Sequence, residues 1–310
     1  MKRVYAISRL VIIVLLNLLL ISCDTTDPNN YNNYHNKILF TSSRSGKPQL
    51  YMMNPNGLGI RQLTFGNYWH SDGRWSPDAK QIVCNTEEGT TTAGLQMVVM
   101  NVDGSNRKLL GYGNQMSWHP EGKKIVFSFM PSAEIGDLSS YIYVVNLADT
   151  ERYRITNNDG VLDESPSYST DGLTIVFTSD RDYLIGQFRS ELYLMNFDGT
   201  NQKRLTYTNN SINGNPSFSH DNNLIVFNSN GIITSVKNDG TELTQITQEI
   251  EKRNLIFVQP KWSPDDNQIV FIGRATDGSE KSFLYMVNKD GTNLHRVIDD
   301  DSVTSCDWSK

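Results

Sequence analysis

After its first few residues the sequence has no run of basic side chains, and the formal net charge of the whole chain is −6. That balance argues against a nucleic-acid partner. The apolar run Leu10–Ile21, broken by Asn17, is too short to span a membrane, which takes about 20 residues. No G-x-S-x-G elbow is present, so serine hydrolysis of that type has no sequence support. Histidine is sparse, with five in 310 residues. Cysteine is sparser still, with three, at Cys23, Cys84 and Cys306.

What is present is one phrase written six times. An aromatic (Trp75, Trp118, Tyr168, Phe218, Trp262, Trp308) closes one short strand, and a Ser/Pro/Asp-type turn follows the first five. A triplet opens a strand: Ile38-Leu39-Phe40, Ile82-Val83-Cys84, Ile125-Val126-Phe127, Ile175-Val176-Phe177, Ile225-Val226-Phe227 and Ile269-Val270-Phe271. Successive triplets start 44, 43, 50, 50 and 44 residues apart. A period of about 40–50 residues built from short strands predicts an all-β propeller with one four-stranded antiparallel sheet per blade. Cys84 takes the place of a triplet Phe and reads as a small core hydrophobe. Cys84 and Cys306 could still pair in an oxidising compartment.

The amino terminus reads as a leader. Lys2, Arg3 and Arg9 precede the apolar run, in the manner of a secretory signal. The run ends in Leu20-Ile21-Ser22-Cys23, which resembles the lipobox of bacterial lipoproteins. In such signals the cysteine is lipidated and becomes the new amino terminus, so residues 1–22 are expected to be removed and Cys23 to carry a lipid anchor. Residues 24–36 are polar, Asn-rich and without apolar period, and read with Cys23 as a flexible tether. Thirteen such residues reach about 45 Å at most. Asp24 resembles an inner-membrane retention signal, which leaves open which membrane of the cell envelope holds the protein. The propeller is expected over residues 37–310, facing the periplasm.

Within a block the third strand is clearest at Leu192-Tyr193-Leu194-Met195-Asn196, followed by the hairpin signal Asp198-Gly199. The same Asx-Gly turn recurs at Asn56-Gly57, Asp103-Gly104, Asp239-Gly240 and Asp290-Gly291, and only Ala148-Asp149 lacks the glycine. Trp75-Ser76-Pro77-Asp78 and Trp262-Ser263-Pro264-Asp265, with Gln62-Leu63-Thr64 and Arg204-Leu205-Thr206, resemble the TolB-type (PD40, WD40-like) propeller repeat over the whole of 37–310. That resemblance implies a TolB-like six-bladed propeller. The chain enters at Ile38-Leu39-Phe40, a second strand without a first, and leaves at Val303–Trp308, a first strand without a second. The last strand should therefore complete the first blade and leave no open sheet edge. TolB itself carries a separate amino-terminal α/β domain; here a lipobox stands instead, so a part in the Tol–Pal system is not expected.

Side chains in strands alternate with period 2, which sorts the first strands into faces. Two residues before each aromatic stand Gly73, Met116, Pro166, Pro216, Pro260 and Cys306, all small or apolar and expected between blades. One residue before it stand Arg74, Ser117, Ser167, Ser217, Lys261 and Asp307, and three before it Asp72, Gln115, Ser165, Asn215, Gln259 and Ser305. None of these twelve is apolar, so they are expected to line a hydrated central channel. Such a ring is either a ligand or peptide site or the solvated polarity any propeller channel shows. Asp72, Arg74, Lys261 and Asp307 sum to zero formal charge, which favours the second reading.

Signals for chemistry are thin. Some TolB-like propellers are enzymes, including oligogalacturonate lyases that use histidines and a metal. A metal needs three or four converging ligands, yet His35 lies in the tether, His119 and His220 in turns at different offsets, and His295 in an outer strand. Only His70 leads into a first strand, with Asp72 two residues on, and no metal or other cofactor is expected. Asp159–Glu164 is acidic but lacks the ligand spacing of a calcium loop. The most selective feature is a pair of matched insertions between second and third strands, at 128–140 and 178–190. Ile135-Gly136-Asp137-Leu138 and Ile185-Gly186-Gln187-Phe188 lie 50 residues apart. Phe129, Ile135, Leu138, Tyr183, Ile185 and Phe188 would crowd one rim, as a partner surface or as loops packed on each other. The expected function is a non-catalytic envelope lipoprotein whose propeller binds a protein partner. The alternative is a carbohydrate-active or glycan-binding propeller.

Overall fold

The computed structural model describes residues 34–91, 94–131, 139–183, 187, 189–208, 211–247 and 254–310. Among them lie 24 strands in six four-stranded antiparallel sheets, and no helix. Cys23 lies outside the described residues, as do Ile135, Leu138, Ile185 and Phe188 of the insertions. The six first strands are His70–Trp75, Asn114–Trp118, Asp163–Tyr168, Asn213–Phe218, Leu255–Trp262 and Val303–Trp308. Each touches the first strand of both neighbouring blades, so the six form an inner ring. The expected closure is observed: Val303–Trp308 pairs with Ile38–Ser42, setting Ile38 opposite Trp308 and Phe40 opposite Cys306.

Packing between blades explains the triplet. Ile125 and Phe127 join the core between the second and third blades, whereas Val126 joins the core between the third and fourth. Ile175 and Phe177 likewise face one interface and Val176 the next. The same division holds for the other four triplets. A strand buried on both faces reads as a continuous apolar run rather than an alternation. Each aromatic joins the outer two triplet residues: Trp75 packs with Ile82 and Cys84, and Trp308 with Ile38 and Phe40. Cys84 therefore behaves as the small core residue expected of it. Cys306 lies in a different interface, and both thiols are free and buried.

The turns follow from their side chains. Ser76 Oγ donates to Asp78 Oδ1 (2.7 Å) and accepts from Gln81 N (2.9 Å), tying the turn to the start of the next strand. Ser169, Ser219 and Ser263 make the same pair of bonds. In the outer hairpins Asp198 Oδ1 accepts from Thr200 N (3.0 Å) and Oγ1 (2.6 Å). Gly199 sits there at φ 86°, where a Cβ would meet Ile155 O at 2.3 Å. Positive φ and that contact both demand glycine.

Among the described residues packing extends to Tyr34, the first of them, three residues ahead of Lys37. Tyr34 is 4% exposed and packs beside Trp75, ring centroids 6.3 Å apart. Asn36 N donates to Lys310 O (3.3 Å), Ser309 Oγ to Tyr34 O (2.6 Å) and Trp308 Nε1 to Asn36 Oδ1 (2.9 Å). The two ends of the body therefore clasp each other over the closing strand.

Candidate functional site

Every first strand but the last carries a β-bulge just before its aromatic. In the second blade Ser71 pairs with Asn85 and Arg74 with Val83, so Asp72 and Gly73 together oppose Cys84 alone. The bulge places Asp72, Gln115, Ser165, Asn215 and Gln259 in the left-handed region, at φ 51–54°. For residues other than glycine that conformation costs about 1–2 kcal/mol each, and bulges of this kind re-aim a side chain. The simple alternation that put two rings on one face is thus broken. Instead the rings stack along the axis.

A lower cavity of about 60 Å³ is lined by Asp72, Gln115, Ser165, Asn215 and Gln259. A funnel of about 180 Å³ is lined by Arg74, Ser117, Ser167, Ser217, Lys261 and Asp307. Arg74 and Lys261 border both and form the waist between them. Eleven of the twelve polar positions named from the sequence border one or both of these cavities. Ser305 does not: its strand lacks the bulge there, and its Oγ is buried 2.7 Å from Thr41 Oγ1.

Most polar groups at the axis hold the ring together. Arg74 donates to Asp72 Oδ1 (2.6 Å), Gly73 O (2.9 Å) and Cys306 O (3.4 Å). Asp307 Oδ2 accepts from Trp75 N (2.7 Å) and Ser117 Oγ from Tyr168 N (3.2 Å), each latching an aromatic-bearing strand of the next blade. Gln115 Oε1 accepts from Ser165 N (2.9 Å) and Ser128 Oγ (2.5 Å). Lys261 occupies a latch position, but an ammonium has no lone pair to accept with. Among the described residues its Nζ has no hydrogen-bond or ion-pair partner.

Electrostatics at the waist follow from burial. Burial, and then repulsion from Arg74, lower Lys261 from 10.5 to about 8, against the pull of Asp307 and Asp72. Burial raises Asp307 in spite of Lys261 and Arg74. For Arg74 burial acts downward, but Asp72 and Asp307 outweigh it and the net shift is upward. Burial pushes the Cys306 thiol up to about 12, so it is no nucleophile at neutral pH.

His70 does not join Asp72. It is buried, with Nδ1 3.3 Å from Gln49 Oε1 and Nε2 3.1 Å from Arg107 Nη2, and burial with the Arg107 charge lowers it to about 4. Among the described residues no three His, Cys, Asp or Glu side chains converge as a metal site would require.

On the insertions, Phe129 and Tyr183 are the rim candidates within the described residues. Phe129 packs edge-on to Tyr143, centroids 5.9 Å apart, with the Arg152 guanidinium 5.3 Å over its ring. Tyr183 Oη donates to Glu191 Oε1 (3.0 Å). Both are tied into the blade rather than held out from it. Glu191 is a node that no sequence signal marked. It is fully buried and also accepts from Arg204 Nη2 (2.8 Å), Thr206 Oγ1 (2.6 Å), Thr208 N (2.8 Å) and Asn213 Nδ2 (2.9 Å). It ties the base of the second insertion to the next blade.

Comparison with known proteins agrees with this architecture. The family model of the TolB β-propeller domain matches residues 21–134 and 115–310. No curated protein matches the chain. Among solved structures, TolB from Acinetobacter baumannii superposes with a TM-score of 0.70 at 20% identity, over 89% of this chain and 67% of that one. A putative TolB from Agrobacterium tumefaciens gives 0.65 at 21% identity, over 86% of this chain and 90% of that one. An oligogalacturonate lyase in complex with manganese gives 0.56 at 18% identity, over 84% and 73%. At these identities the structural likeness concerns the fold.

Proposed function

The chain belongs to the TolB β-propeller family, and from that premise we propose that it is a non-catalytic lipoprotein of the bacterial cell envelope. Cys23 holds it to a membrane through lipid, and the propeller binds a protein partner in the periplasm. The family match over nearly the whole folded chain supports a binding scaffold, and Leu20-Ile21-Ser22-Cys23 supports the anchor. The polarity of the body is the observation that carries the reading. Tyr34, where the tether joins, sits with Lys310 at the end of the blades that bears the Ser-x-Asp turns. The strand ends that the two insertions connect, Phe129 with Tyr141 and Ser179 with Glu191, lie at the opposite end. Anchoring at one end leaves the other free to meet a partner.

Cross-linking in intact envelopes, followed by affinity purification, tests this. A single abundant partner should be captured by the wild-type chain. It should be lost when Ile135, Leu138, Ile185 and Phe188 are changed together to Ser, because a few apolar anchors dominate most interfaces. The melting temperature should stay within a few degrees. Capture unchanged by the four substitutions would remove the insertions from the account. The absence of any partner above an unrelated propeller control would overturn the binding role.

A further inference from the structure

Five of the six residues that line the funnel one position before an aromatic have a visible structural use or are neutral serines. Asp307 and Ser117 latch neighbouring strands, Arg74 is held by three acceptors, and Ser167 and Ser217 continue the hydroxyl wall. Lys261 is the exception. It cannot serve as a latch, it has no partner among the described residues, and it is set at the waist where funnel and lower cavity meet. A local rule broken without a compensating contact is the mark of a functional position. Gln259, two residues earlier in the same strand, adds a second unmet demand: its Oε1 is buried, borders the lower cavity and has no hydrogen-bond partner among the described residues.

We propose that the axial funnel binds a small hydroxylated carboxylate, with Lys261 Nζ as the anchor of its carboxyl group. Arg74 is occupied by Asp72 and by two carbonyls, which leaves Lys261 as the cation with hydrogen bonds to give. A carboxylate there offsets the repulsion from Arg74 without displacing either aspartate. Around the rest of the ring Ser117, Ser167 and Ser217 present three neighbouring hydroxyls that can give and take bonds with hydroxyls of the ligand. Size sets the class. The funnel's 180 Å³ is the room of about six waters, enough for an acid of three or four carbons. Lys261 loses half its charge near pH 8 when the site is empty, so affinity should fall on the alkaline side. The charged groups facing it are Arg74, Asp307 and Asp72.

Calorimetric titration of the full chain with D-glycerate tests the assignment, with glycerol as the neutral control and the capped peptide acetyl-Gly-Asp-Gly-amide as a protein-borne carboxylate. D-glycerate is expected to bind at pH 7 with a Kd of about 1 mM or tighter. Glycerol should not bind, and Lys261→Gln should weaken the acid at least tenfold. Crystals of the wild-type protein soaked in D-glycerate give a readout independent of any variant: the carboxylate should lie within hydrogen-bond distance of Lys261 Nζ. Equal binding by Lys261→Gln, no binding by wild type, or density away from Lys261 would overturn the proposal. Binding of the peptide alone would overturn the free acid as occupant and assign the site to a protein's acidic side chain. None of these results bears on partner capture by the insertions, so the two readings fail separately.

Discussion

Removal of the Trp308 side chain should take a large share of the stability of the ring. Trp308 is 7% exposed, packs with Ile38, Phe40, Met53 and Met286 between the last and first blades, and donates Nε1 to Asn36 Oδ1 at 2.9 Å. A buried tryptophan removes about 150–250 Å² from water, or about 4–6 kcal/mol at about 25 cal/mol per Å². Part of that is kept by the remaining Cβ, and measured Trp→Ala changes in cores run at about 3–5 kcal/mol. The lost bond to Asn36 adds about 1 kcal/mol. Trp308→Ala is therefore expected to cost about 4–6 kcal/mol, against a total of about 5–15 kcal/mol for a typical domain. Followed by circular dichroism in urea, the midpoint should fall by roughly 2 M. Phe65→Ala, at a side chain 69% exposed, is the control and should stay within about 0.5 kcal/mol. Deleting 302–310 removes Val303 and Cys306 as well and opens two sheet edges, so that chain should not fold cooperatively. A Trp308→Ala midpoint equal to that of the control would refute closure of the ring by this strand.

Two further perturbations follow. Trp118 Nε1 donates to Arg74 O and Trp262 Nε1 to Ser217 O, whereas the buried Trp75 Nε1 has no hydrogen-bond partner among the described residues; Trp75→Phe should therefore cost about 1–3 kcal/mol less than Trp118→Phe or Trp262→Phe, and equal losses in thermal denaturation would contradict the assigned bonds. For Lys261 the folded-state pKa is depressed from 10.5 to about 8, so between those values the unfolded chain binds more protons and the lysine's cost to the fold shrinks as pH rises. Lys261→Met should accordingly be more stable than wild type at pH 7, with the gap narrowing by pH 10; a gap independent of pH would mean that the lysine is not desolvated.

Particular residues show how far the sequence reached. The triplets were legible because both faces of each second strand are buried, so that Val126 and Val176 had to be as apolar as their neighbours. The six aromatics were legible because one large ring is needed in each interface. The bulges were not. Gln115, Ser165 and Gln259 adopt φ near 50° without being glycine, and only Asp72 and Asn215 are residue types that favour it. The clasp at Tyr34–Asn36 was hidden for a different reason: the two tyrosines of the Asn-rich stretch, Tyr31 and Tyr34, set no period that would reveal burial. Lys261 was visible as a charge, and the zero sum with Asp72, Arg74 and Asp307 made it look compensated. Its lack of a partner is a matter of geometry, as is the six-donor environment of Glu191, whose residues span positions 183–213.

The anchor is the premise on which the orientation and the partner surface depend. Mass spectrometry of the protein extracted from membranes, paired with fractionation of Cys23→Ser, tests it most directly. The mature chain is expected to begin at Cys23 and to carry a lipid mass there. Cys23→Ser is also expected to be soluble and folded, since the strands of the six sheets run from Ile38 to Trp308. A mature amino terminus elsewhere, or a Cys23→Ser chain that still sediments with membranes, would contradict the lipoprotein reading.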